Sequence, residues 1–139
     1  MKQAKLIIFL GISVMGLLSS CSERDTNMMI DLTGEWEFRA VQDKSWRPAE
    51  VPGTVHTDLL ELGDIQNPHF RLNDQEMQWV GETDWEYRKS FTATQELLDQ
   101  ESIELCFDGL DTYATVFFNG DTVLSANNMH RRWRIDIKR

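Results

Sequence analysis

Gly109-Leu110-Asp111-Thr112-Tyr113-Ala114-Thr115-Val116-Phe117-Phe118-Asn119-Gly120-Asp121-Thr122-Val123-Leu124 is the stretch whose reading decides the fold. Tyr113 to Phe118 is an unbroken run of aromatic, β-branched and small residues. Thr122-Val123-Leu124 is a second run, and Asn119-Gly120 stands between them. Both positions of a tight hairpin turn need positive φ, which Asn and Gly tolerate best. The stretch predicts a β-hairpin. Just before it, Asp108-Gly109 and Asp111-Thr112 read as a turn, because Asp side chains bond their own backbone.

Working outward, a period of two recurs. Trp36 and Phe38 alternate with Glu35, Glu37 and Arg39. Trp85, Tyr87 and Phe91 share one parity, with Glu86, Arg88 and Ser90 on the other. Ile103, Leu105 and Phe107 alternate with Glu104 and Cys106, and Trp133, Ile135 and Ile137 with Arg134, Asp136 and Lys138. About six strands separated by turn signals predict an all-β chain, a sandwich or jelly roll. One stretch alone reads as a short helix. After the break at Pro52-Gly53, Thr54 to Gly63 sets Val55, Leu59 and Leu62 at helical spacing, with Gly63 as a stop. Gly63 to Gly81 then reads as a long polar loop containing Pro68, His69, Asn73, Asp74 and Trp79. Loops of that length are where binding residues tend to sit.

The first twenty residues read as an address. Met1 to Lys5 carries two lysines and no acid, Leu6 to Leu18 is almost wholly apolar, and Leu18-Ser19-Ser20-Cys21 follows. A basic start, a short apolar run and small residues before a cut describe a secretory signal peptide. Ending on Cys, it resembles a bacterial lipoprotein signal, which implies lipidation of Cys21 and a membrane anchor. The expected organisation is a signal over 1–20, a tether over 21–30 and a β-sandwich domain over 31–139. The expected location is the bacterial cell envelope, facing the periplasm or on the outer-membrane surface.

Composition narrows the function classes. The 139 residues carry 23 acids against 14 bases, a net charge of −9. Such a chain is a poor phosphate-backbone binder, which needs clustered Lys and Arg. No nucleic-acid partner is expected. Five Trp, seven Phe and two Tyr supply core material, so the chain is not a disordered polymer. Two Cys and three His are too few and too scattered for a zinc set, so no metal is expected. With Cys21 lipidated, no disulfide remains. Cys106 lies in a strand-like run without a nearby His and is expected to be a buried structural thiol.

Catalytic signatures are missing. The chain has no glycine-rich phosphate loop, no Gly-x-Ser-x-Gly elbow and no His-Glu-x-x-His. His56, His69 and His130 are isolated and read as surface or hydrogen-bonding residues. Glu82 with Asp84, or Asp108 with Asp111, could be offered as acid/base pairs. Turn and loop chemistry accounts for them better.

Four segments together resemble the N-terminal domain of glycoside hydrolase family 2 β-mannosidases. They are Leu32-Thr33-Gly34-Glu35-Trp36-Glu37-Phe38, Val51 to Leu60, Trp79-Val80 followed by Asp84 to Phe91, and Gly109 to Gly120; Asn128 to Trp133 is a fifth, looser match. The second and fourth segments are the more specific to mannosidases. The resemblance implies a galactose-binding-like jelly-roll sandwich, left incomplete at its C-terminus. It also implies a secreted parent enzyme that removes terminal β-D-mannose from glycans by a retaining mechanism. Two Glu residues on a separate (β/α)8 barrel would carry that chemistry. No residue of this chain inherits a catalytic role, and the family mechanism needs no cofactor. The chain stops inside a strand-like run, so a fragment with an open sheet edge is expected.

The partners implied are a mannose-containing oligosaccharide or glycan, the catalytic barrel of the same polypeptide, and a membrane reached through Cys21. The substrate-binding candidates are Asn73, Asp74 and Trp79. A Trp face packs on the C–H face of a sugar, while Asn and Asp bond its hydroxyls. A core position for Trp79 is the competing reading. Trp36, Trp85 and Trp133 are expected in the core. Two other functions stay open: a stand-alone carbohydrate-binding lipoprotein, and a non-enzymatic β-sandwich for adhesion or structure.

Overall fold

A computed structural model describes residues 28–68, 70 and 72–138. The signal over 1–20, the lipidation candidate Cys21, most of the tether and His69 lie outside the described residues. The described chain is mainly β. Its strands are β1 (Gly34–Ala40), β2 (Arg47–Val51), β3 (Trp85–Arg88), β4 (Glu104–Phe107), β5 (Ala114–Phe118), β6 (Asp121–Ala126) and β7 (Trp133–Asp136). The helices are α1 (Val55–Glu61), α2 (Asn73–Glu76), α3 (Gln78–Gly81) and α4 (Gln95–Leu98). The strands form three antiparallel sheets, ordered β2-β1-β3, β4-β7 and β5-β6, which do not close on one another.

The alternation of β1 does what its sequence dictates. Phe38 and Ala40 are buried, while Glu35 and Glu37 face out. Phe38, 0% exposed, lies opposite Tyr87 on β3 and Arg47 on β2. Its ring meets Trp85 at 5.7 Å and Tyr87 at 5.6 Å between centroids. Leu59, Ile65, Met77 and Val80 complete this core, with Ala49, Val55, Trp85 and Tyr87 packed on it. On the other face of the sheet, Glu37 pairs with Arg88 and Arg39 with Glu86, each across directly opposed residues. The ring of Trp46 lies under both guanidinium groups, at 4.3 Å and 4.1 Å.

α1 begins where the sequence places it. Thr54 is its N-cap, accepting from the Thr57 backbone N–H at 3.2 Å, while Thr57 Oγ1 accepts from Thr54 N–H at 2.9 Å. This reciprocal pair satisfies two donors that a helix start leaves free. Gly53, next to the cis Val51-Pro52 bond, has a steric reason for its identity. A Cβ there would stand 2.4 Å from the Glu50 carbonyl oxygen, which is backbone and cannot yield.

Five expectations need correction. The described residues hold four short helices where one was expected, and seven strands where six were. The stretch from Gly63 to Gly81 is no plain loop, since α2 and α3 occupy its second half. Cys106 is exposed rather than buried. Its own alternation places it with Glu104 on the outer face, and that parity outweighs the general preference of Cys for the interior. Of the three Trp expected in the core, all are half-buried and only Trp85 packs on the core cluster.

Candidate functional site

The helical turns at 73–81 form a wall with three faces. Met77 and Val80 are buried and point into the core. Asp74 and Gln78, four residues apart, share the face toward α1. Trp79 lies on the opposite side, toward the β1–β2 loop. The three sequence candidates are therefore not gathered around one point. Asp74 lines a small groove with His56, Pro68, Met77, Gln78 and Gly81. Trp79 lines a larger cleft of about 550 Å³. Asn73 lines neither, and its amide donates to the Asn67 carbonyl at 2.9 Å, fixing the entry to the wall.

Trp79 is 44% exposed, so it is neither a core residue nor a free one. One side of its ring leans on Trp85, with centroids 6.1 Å apart and planes at 46°. Trp85 is itself fixed by its indole N–H donating to the Val80 carbonyl at 2.9 Å. Thr83 Oγ1 donates to the Trp79 carbonyl at 2.7 Å and closes the turn. The Trp79 ring is thus held, with part of its surface left to solvent.

Beneath the wall lies a residue that the sequence reading passed over. Asp58 on α1 is 2% exposed. Its Oδ1 accepts from the Glu50 backbone N–H at 3.1 Å and its Oδ2 from the Tyr87 hydroxyl at 2.6 Å. A buried carboxylate needs such donors, and here they come from β2 and β3. Asp58 therefore ties α1 to both strands. Burial, followed by the bond to Asp58 and its charge, pushes the Tyr87 hydroxyl far above the ordinary tyrosine range. Its signal was available: Asp58 falls within the apolar stripe Val55, Leu59, Leu62 at helical spacing, where a charge needs an internal partner.

His56 and His130 are exposed, Glu82 lies in a turn, Asp108 at a bend, and Asp84 and Asp111 in irregular chain beside them. Asp111 Oδ1 accepts from the Thr112 backbone N–H at 2.7 Å, and Asp108 pairs with Arg132 at 3.1 Å. The Asp111 bond is local turn chemistry; the Asp108 pair is an exposed ion pair to the segment before β7. Among the described residues no three His, Cys, Asp or Glu side chains are grouped as metal ligands would be. No described helix is long and apolar enough to cross a membrane.

Comparison with known proteins places this geometry. Residues 36–139 match a family described as glycosyl hydrolase 2 galactose-binding domain-like. Beta-mannosidase A of Emericella nidulans is 34% identical over 131 residues, covering 93% of this chain and 14% of that protein. Beta-mannosidase of Mus musculus is 35% identical over 106 residues, covering 76% of this chain and 12% of that protein. The crystal structure of Beta-D-Mannosidase from Dictyoglomus thermophilum superposes with a TM-score of 0.77 at 46% identity. It covers 78% of this chain and 13% of that one. The chain thus spans 12–14% of the length of these relatives.

Proposed function

The chain belongs to the glycosyl hydrolase 2 galactose-binding domain-like family, and from that premise we propose that it is the non-catalytic, sugar-side domain of a secreted β-mannosidase. The observation that carries this reading is the likeness to the Dictyoglomus thermophilum β-D-mannosidase, 46% identical with a TM-score of 0.77. The reaction is removal of terminal β-D-mannose from glycans. A retaining hydrolysis needs two carboxyl groups about 5–5.5 Å apart, one as acid and one as nucleophile. Both belong to a catalytic barrel of the same polypeptide, outside these residues. This domain's part is to hold the glycan beside that barrel. Trp79 offers a ring to a sugar in the cleft beside the β1–β2 loop, Asp74 an acceptor in the separate groove toward α1, and Asn73 sets their wall in place. Lipidation of Cys21 tethers the whole to the cell envelope.

The test uses the native gene product. Purified from its own cells, it should release the phenol from an aryl β-D-mannopyranoside and leave the matching β-galactoside and β-glucuronide intact. Absence of that release sinks the proposal. Cys21→Ser should move the protein from the membrane fraction to the soluble one, and a membrane-bound variant would remove the lipid anchor from the reading.

A further inference from the structure

We propose that the cleft between the β1–β2 loop and Trp79 binds the inner sugar units of a neutral oligosaccharide, with Gln42, Asp43, Lys44 and Ser45 as its hydrogen-bonding wall. This rests on the β-mannosidase reading and extends it to residues that no comparison assigns.

The case begins with the loop from Val41 to Trp46. Its backbone is tied at several points. Asp43 N–H donates to the Ala40 carbonyl at 2.9 Å, Val41 N–H to the Asp84 carbonyl at 2.9 Å, and Arg39 Nη1 to the Asp43 carbonyl at 3.3 Å. Trp46 is held under the guanidinium groups of Arg39 and Arg88. Yet the side chains of Gln42, Asp43, Lys44 and Ser45 make no hydrogen bond or ion pair with any described residue. All four are exposed and all line the cleft. A fixed backbone carrying idle polar side chains is what a preorganised recognition wall requires.

The opposite wall is the exposed face of Trp79, held by Trp85. An aromatic plane facing a row of amide, hydroxyl and charged groups suits an amphipathic ring with hydroxyls on its rim. Charge decides against an ionic ligand. Arg47 is already paired with Asp64 at the cleft's end, and Lys44 stands beside Asp43. The charged side chains lining the cleft, Asp43 and Asp64 against Lys44 and Arg47, balance two against two and favour neither an anion nor a cation. Size leaves room for more than one sugar unit, since about 550 Å³ falls within the ~300–1,000 Å³ range of pockets for drug-sized ligands. The ligand class is an oligosaccharide, gripped at units away from the cleaved bond.

The test compares two substrates of the native protein: an aryl β-D-mannoside with one sugar, and a β-1,4-linked mannotetraose. Trp79→Ala should raise KM for the tetraose about tenfold relative to the aryl mannoside, the size of one lost stacking contact. The double variant Gln42→Ala, Lys44→Ala should act in the same direction. Its side chains make no hydrogen bond or ion pair with a described residue, so its result stands even where Trp79→Ala fails to fold. Equal losses on both substrates, or no loss on either, would overturn the proposal. A native protein inactive on both substrates defeats the mannosidase reading instead. The cleft is then judged by tetraose quenching of tryptophan fluorescence: quenching removed by the double variant upholds it, and absence of quenching rejects it.

Discussion

Asp58 shows how much one side chain can decide. It is a carboxylate at 2% exposure on a seven-residue helix, which is too short to hold itself in water. Its two bonds fasten that helix to the sheet. Asp58→Ala would leave the part-buried Tyr87 hydroxyl and Glu50 N–H without that acceptor. We expect a loss of about 3 kcal/mol in urea denaturation, since each orphaned group costs about 1–3 kcal/mol. The same bond sets an alkaline limit. The Tyr87 hydroxyl has its pKa raised in the folded state, so the stability it lends is fully present below the unfolded value near 10. That stability is lost as pH climbs past 10, because the unfolded chain then ionises while the folded one holds its proton. Tm should decline above about pH 10 in the parent, and less steeply in Tyr87→Phe. An identical decline in both would show that Tyr87 does not set the limit.

The β5–β6 hairpin is the element most legible in the sequence, and its turn has the predicted geometry. Asn119 has φ 52° and Gly120 φ 91°. An L side chain at Gly120 is strained whatever space surrounds it, and none of its neighbours lies within 4 Å of an added Cβ. Gly120→Ala should therefore cost about 1–2 kcal/mol from backbone conformation alone, read as a shift of the denaturation midpoint. Other elements were hidden for physical reasons. β2 reads Arg-Pro-Ala-Glu-Val, with none of the β-branched or aromatic runs that mark a strand. Pro48 is tolerated because β2 is an edge of its sheet. α2 and α3 are four residues each, too short to show a 3.6-residue period. The candidate site was only half visible. Residue type pointed to Trp79 and Asp74, but only the helical turn that no pattern revealed sends them to different grooves. The idle side chains of Gln42 to Ser45 were invisible, because a polar loop looks alike whether or not its backbone is pinned.

Across the whole chain, burial is unevenly shared. The first half holds the core cluster of Phe38, Leu59, Ile65, Met77 and Val80, and its outer sheet face is finished with crossed ion pairs. The second half contributes only Ala126 to the buried apolar set among the described residues. There Tyr113, just before β5, stays 87% exposed, and Phe117 on β5 64%. The buried indole N–H of Trp133 on β7 has no acceptor among the described residues. Local stability follows buried contacts and satisfied donors, so the two halves should open separately. In native-state hydrogen exchange on a chain of these 139 residues, the amides of β1 that pair with β2 and β3 should exchange slowest. Those of β5, β6 and β7 should exchange at least tenfold faster, a gap of about 1.4 kcal/mol in opening free energy. Uniform protection across all seven strands would mean that the three sheets fold as one unit despite their open edges.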